Sequence, residues 1–127
     1  MKISASLGIA IAALAIALAS FSLAAHAECP YPKAPALMPD GKTASEADMI
    51  EAMKAFKAYN EEVTAFGSCL DEETRNKAAG PDAPAEQIEQ IKAIHNKRHN
   101  AAVDELEQTA SRFNEQVKTF KAREKKS

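Results

Sequence analysis

The sequence predicts an all-α protein: an antiparallel two-helix hairpin, with a proline-rich N-terminal arm packed along it and tied to it by one disulfide. Three observations predict this fold. Apolar residues recur every three or four positions over two long segments, which is the period of one helix face. A short run rich in glycine and proline, residues 80–84, separates the two segments. Two cysteines, Cys29 and Cys69, stand where one bond would join the arm to the first helix.

Residues 1–27 have the order of a secretory signal peptide. Lys2 precedes an apolar run from Ile3 to Ala25, and the small residues Ala25 and Ala27 suit a signal peptidase. We expect cleavage after Ala27 and a periplasmic or secreted product without a stable membrane anchor. The alternatives are an uncleaved anchor, since about 20 apolar residues can span a bilayer, and a lipoprotein, for which the residues before Cys29 are unsuitable.

The charge pattern excludes a nucleic-acid partner. The chain has 16 basic and 18 acidic residues, and only Lys2 among them precedes Glu28. A protein that binds DNA or RNA carries a basic face that neutralises several phosphates, whereas the two signs are interleaved here.

The two cysteines predict one disulfide between Cys29 and Cys69. An even number of cysteines in a small domain of an oxidising compartment most simply forms bonds. Redox chemistry and metal binding by thiolates are the alternatives, but no Cys-x-x-Cys spacing is present.

The arm, residues 28–44, is expected to be extended. It contains Pro30, Pro32, Pro35 and Pro39, which exclude a helix, and Pro39-Asp40-Gly41 predicts a turn. A disulfide would hold the arm near the turn of the hairpin, so its chain must return along both helices. We therefore expect a third layer made by three apolar side chains of the arm: Tyr31, Leu37 and Met38.

The first helix is expected over about 45–78. Thr43 and Glu46 fit a capping box at its start. Its buried stripe consists of residues spaced by three and four: Met49, Ala52, Phe56, Tyr59, Val63, Phe66 and Leu70.

The second helix is expected over about 84–123, with Asp82 as its cap. Val117 and Phe120 lie past the start of the first helix and need cover from another part of the chain. The buried stripe comprises Ile88, Ile91, His95, His99, Ala102, Leu106, Ala110, Phe113, Val117 and Phe120.

A reversal of about five residues makes the two helices antiparallel neighbours, and its length predicts which residues of the two helices face each other. The expected pairs are Met49 with Phe113, Phe56 with Leu106, Val63 with His99, and Gly67 with His95.

The chain resembles a group of small exported proteins of Gram-negative bacteria that has no assigned activity. The resemblance covers nearly all of the chain after the signal, implies export and a helical fold, and transfers no catalytic residue. It rests on Cys29-Pro30, Pro39-Asp40-Gly41, the interval from Tyr59 to Cys69-Leu70, the run from His99 to Glu105, and Phe113-Asn114.

The histidine pair is the sharpest chemical candidate. His95 and His99 lie four residues apart on a helix, so both rings project to the same side and could share zinc or copper. Asn96 stands where a zinc protease needs its glutamate base. A third ligand such as Glu62 would complete a metal site. The alternative is that both rings have a structural role at the seam between the two helices.

The sequence contains no motif for catalysis. It has no Gly-x-Ser-x-Gly elbow, no glycine-rich phosphate loop and no haem-attachment motif. We therefore expect no enzyme activity and no cofactor. The predicted function is that of an envelope protein that binds a protein partner or a second copy of itself, and the alternative is a periplasmic metal-binding or stress-related protein that uses His95 and His99.

Overall fold

The computed structural model describes residues 28–80 and 82–127. In this part of the chain there are two α-helices, α1 (Glu46–Ala78) and α2 (Ala85–Glu124), and no β-strand. The all-α hairpin is therefore confirmed, and each helix begins and ends within one residue of its expected position. The expected signal peptide, residues 1–27, lies outside the described residues. Within those residues, no helix is both long and apolar enough to cross a membrane.

Helix α1 begins at a capping box formed by Ser45 and Asp48. The Asp48 backbone N–H donates to Ser45 Oγ at 3.1 Å, and the Ser45 backbone N–H donates to Asp48 Oδ2 at 2.9 Å. The expected box of Thr43 and Glu46 is wrong, because Thr43 still belongs to the preceding turn. Its backbone N–H donates to the Asp40 carbonyl at 3.0 Å, so the helix begins after the turn closes.

The N-cap residue of helix α2 is Pro84, which has no side-chain oxygen to cap the helix. The expectation that Asp82 caps α2 is therefore wrong. Pro84 instead has φ −58° and an extended ψ of 140°. Its carbonyl accepts from the Ile88 N–H at 3.2 Å, so the fixed proline backbone leads directly into the first helical turn.

The core lies along the seam between the helices, and the predicted stripes supply it. Every residue of both stripes is buried or partly buried. Thr109, which the stripe of α2 omits, is only 1 % exposed. Two clusters divide the seam: one toward the turn contains Cys29, Tyr59, Val63, Phe66, Leu70 and Ala102, and one at the open end contains Ala44, Met49 and Phe113.

The register of the helices differs from the expected one by one to two turns. A Cβ on Gly67 would lie 3.1 Å from Nε2 of His99, so His99 takes the place expected for His95. Phe56 stacks on Phe113, with ring centroids 5.9 Å apart, and Phe113 is seven residues beyond the expected partner Leu106. The expected pair of Met49 and Phe113 does lie in one core cluster. His95 contacts Leu70 and Thr74, so α2 begins further past the end of α1 than a five-residue reversal predicts.

The arm forms the expected third layer except at Leu37. The Tyr31 ring meets the edge of Phe66 at 5.4 Å, and Ala34 and Met38 pack on the two core clusters. Leu37 is 87 % exposed, so its predicted contact is wrong. Successive side chains of an extended segment point in opposite directions, and the inward position of Met38 turns Leu37 to solvent.

Candidate functional site

The Cys29–Cys69 disulfide joins the arm to α1 near the turn of the hairpin. The two Cα atoms are 5.9 Å apart, a normal separation for a bonded pair. Arg98 of α2 donates to the Cys29 carbonyl oxygen at 3.3 Å, so both helices hold this end of the arm. The bond is the covalent state expected of cysteines in an oxidising compartment.

An open groove of about 590 Å³ lies beside the disulfide. Its polar lining includes Glu72, Glu73 and Asn76. Glu73 accepts hydrogen bonds from Lys77 and, at 3.2 Å, from Arg98; these partners, Lys77 first, lower the pKa of its carboxyl group. The groove therefore contains a carboxylate already satisfied by two cations, and its cysteines are bonded.

The other end of the arm wraps around the end of α2. The Gly41 backbone N–H donates to Gln116 Oε1 at 2.9 Å. Arg123 donates to the carbonyl oxygens of Lys42, at 2.9 Å, and Ala44, at 2.8 Å, while its guanidinium lies 4.9 Å from the ring centroid of Phe120. These contacts give Val117 and Phe120 the cover that their position beyond α1 requires.

The histidine pair lies at the seam with its first ring already hydrogen-bonded. His95 Nδ1 is 2.8 Å from Thr74 Oγ1 and 3.1 Å from the Leu70 carbonyl oxygen, and its Nε2 is 3.3 Å from Asp71 Oδ1. His95 thus joins α2 to the last turns of α1.

The two histidine rings are not arranged around a common point. Their centroids are 6.2 Å apart, and Nε2 of His99 points to Gly67. Among residues 28–80 and 82–127, no three His, Cys, Asp or Glu side chains form a group that could hold a metal ion. Metal binding by His95 and His99 stays a prediction. Among the described residues, Glu62 does not form a three-ligand group with the two histidines.

Two tyrosines lie where the arm meets the seam: Tyr31 belongs to the arm, and Tyr59 belongs to the core cluster of α1. Tyr31 Oη donates to Glu105 Oε2 at 3.1 Å, and burial together with that carboxylate raises the pKa of Tyr31. Tyr59 is 2 % exposed, and no described group lies within hydrogen-bond distance of its hydroxyl. Burial, followed by the charge of Glu105, raises the pKa of Tyr59. Both hydroxyls are therefore protonated at neutral pH, which is unfavourable for a nucleophile.

The arm covers only one side of the seam. At 100° per residue, its contacts on α1, Phe66 and Cys69, lie on one side of the buried stripe, and Met53 and Phe56 lie on the other. On α2, the arm contacts Arg98 and Gln116 lie on one side of the stripe, and Val103 lies on the other. The surface opposite the arm, here called the open face, consists of Met53, Phe56, Val103, Leu106 and Ala110.

The open face is apolar and partly exposed. Met53 is 50 % exposed, and the other four residues are partly buried. Met53 and Val103 are absent from the predicted stripes, although their positions beside Phe56 and Leu106 on the helical wheel are visible in the sequence. What the sequence leaves open is which side of the seam the arm covers.

We compared the chain with protein-family models, curated proteins and solved structures, and none of them matches.

Proposed function

We propose that this chain is an exported, non-enzymatic envelope protein that binds a protein partner through its open face. The observation that carries the proposal is the one-sided position of the arm. The arm buries one flank of the seam with Tyr31, Ala34 and Met38. On the other flank Met53 is half exposed and Phe56, Val103, Leu106 and Ala110 are only partly buried, and groups of exposed apolar side chains mark interaction sites.

Three features support export. The first 27 residues have the order of a signal peptide, with the small residues Ala25 and Ala27 before the cleavage point. The Cys29–Cys69 bond suits an oxidising compartment. The resemblance to small exported proteins of Gram-negative bacteria agrees with both. Edman sequencing of protein from the periplasmic fraction tests this step, because processing after Ala27 gives Glu28 as the first residue.

The chemistry of the described residues supports a binding role over catalysis. Both cysteines are bonded, and the pKa values of Tyr31 and Tyr59 are raised. Glu73, the carboxylate with the most partners in the groove beside the disulfide, is held by Lys77 and Arg98. These side chains stabilise the hairpin and its arm, and none of them is activated for attack or proton transfer.

Site-specific photo-crosslinking in cells tests the binding role. The full chain is expressed with a photoreactive amino acid at Met53, on the open face, or at Leu37, which is more exposed but lies on the arm. We expect one defined protein adduct from position 53, its loss when Val103→Glu is added, and none from position 37. Equal labelling from both positions, or an adduct that Val103→Glu leaves unchanged, would contradict the proposal.

A further inference from the structure

The charges of the hairpin are unevenly distributed along its length. Residues 67–95, at the turn end, contain six carboxylate side chains and three lysine or arginine side chains. Residues 40–54 and 111–127, at the open end, contain six carboxylates and eight lysines or arginines. The turn end therefore has a formal charge of −3 and the open end one of +2. Each hairpin is acidic at one end and basic at the other.

We propose that the open face binds a second copy of this chain, with the two hairpins antiparallel. This inference rests on the proposed function, because it names the partner of the same face. A two-fold axis across the helices makes the patch complementary to itself and reverses the second hairpin. The acidic turn end of each copy then lies beside the basic open end of the other. An axis along the helices would instead place like-charged ends together.

The distances along the helices agree with this arrangement. If the axis crosses α2 at Leu106, Lys121 and Lys125 lie 15 and 19 residues from the axis in one direction, and Glu89 lies 17 residues from it in the other. These spans are about 22–29 Å of helix rise. The axis therefore brings the segment from Lys121 to Lys125 of one copy alongside Glu89 of the other.

The free lysines at the open end suit this role. At 100° per residue, Lys121, Lys125 and Glu89 lie on the side of α2 that carries the open face. Lys121 and Lys125 are exposed and take part in none of the ion pairs among the described residues. Glu89 is exposed and pairs only with Lys92, at 3.3 Å, in that part of the chain. A second copy supplies opposite charges to both segments, and two-fold symmetry makes each contact twice.

Sedimentation equilibrium of the protein purified from cells that express the full chain tests the inference. We expect a dimer at micromolar concentration whose dissociation constant rises with added NaCl, because salt screens charges at the rim. The double variant Lys121→Glu with Lys125→Glu should raise the dissociation constant about tenfold. Adding Glu89→Lys to it should restore the dimer, because the exchanged charges attract again.

Control measurements separate the possible failures. Circular dichroism checks that each variant folds, which we expect because all three exchanged residues are exposed. Met53→Glu should abolish the dimer and Leu37→Glu should leave it intact. A dimer that the charge exchange does not restore overturns the antiparallel arrangement. A protein that stays monomeric at millimolar concentration overturns self-association, whereas the proposed function then stands or falls with the adduct obtained from position 53.

Discussion

Gly41 of the arm lies directly against Gln116 of α2, and its backbone N–H donates to the Gln116 side chain at 2.9 Å. This close approach needs the absence of a side chain. A Cβ at position 41 would overlap the Gln116 carbonyl oxygen and lie 2.9 Å from the Phe120 backbone nitrogen. Because these are backbone atoms of a helix, they cannot move aside cheaply.

Gly41→Ala should therefore destabilise the protein by about 1–3 kcal/mol, as overpacking does in well-packed regions. Urea unfolding followed by circular dichroism measures the change. Gly80→Ala is the matched control, because an added Cβ there meets nothing within 4 Å. Equal effects of the two substitutions would show that the arm does not pack on α2 at Gly41.

Replacing both cysteines by serine should lower the free energy of unfolding by about 4 kcal/mol. The bond closes a loop of 40 residues, and opening it returns chain entropy to the unfolded state. Denaturant unfolding of the oxidised protein and of the Cys29→Ser, Cys69→Ser variant gives the difference. A thiol assay on protein from the native compartment provides the second check, since reactive thiols there would contradict a structural bond.

Glu73→Gln should weaken the protein by about 1 kcal/mol at pH 7, because Arg98 and Lys77 lose a carboxylate partner that is partly exposed. The pKa of Glu73 is lowered in the folded state, by Lys77 first and then by Arg98. Its contribution is therefore complete above about pH 4.5 and decreases as the pH falls through the folded-state pKa. Unfolding curves of both proteins between pH 3 and 7 should converge at the acidic end.

Glu61→Gln is the control for the pH series. Glu61 is exposed and takes part in none of the ion pairs among the described residues, so its loss should leave the free energy of unfolding nearly unchanged. A Glu73 variant that behaves like the Glu61 variant would show that the cluster around Arg98 contributes nothing to the fold.

Tyr59→Phe should stabilise the protein by about 1 kcal/mol. The hydroxyl is buried without a partner among the described residues, and a phenyl ring keeps the packing while it removes this polar group. Thermal unfolding should give a higher Tm for the variant. Tyr31→Phe, which loses the hydrogen bond to Glu105, should change the Tm in the opposite direction or leave it unchanged. A marked destabilisation by Tyr59→Phe would show that the hydroxyl has a partner.

Zinc and copper titrations test the metal-binding alternative. We expect no binding tighter than micromolar, because Thr74, Leu70 and Asp71 surround the nitrogens of His95 and the two rings do not converge. Isothermal calorimetry on the wild type and on His95→Ala with His99→Ala gives the comparison. Tight binding that the double variant loses would establish a metal site and overturn the preference for a structural histidine pair.

The periodicity of apolar residues was enough to predict both helices and their buried stripes. The register was not predictable in the same way, because it depends on how far α2 runs before it meets α1 near Thr74 and His95. Thr109 was missed because its hydroxyl excluded it from an apolar stripe, although its position on the helix is a buried one. The capping box of α1 was assigned to the wrong residues because the turn at Asp40 takes up Thr43.

The open face could not be predicted from the sequence either. Met53 and Val103 lie beside the buried stripes, but whether they face the arm or solvent depends on the side from which the arm crosses. That side is set by the Cys29–Cys69 bond and by the contact of Tyr31 with Phe66, which are tertiary contacts. Local periodicity contains no information about them.

The contacts between the arm and α2 also bear on when the chain can fold. Arg98 and Cys29 are 69 positions apart in the sequence, Gln116 and Gly41 are 75 apart, and Arg123 and Ala44 are 79 apart. A chain that crosses a membrane from its N-terminus delivers the arm first and its last partners at the end. Under the export proposed above, the third layer would therefore be complete only after nearly all of the chain had crossed, and the protein would reach its final form on the far side of the membrane.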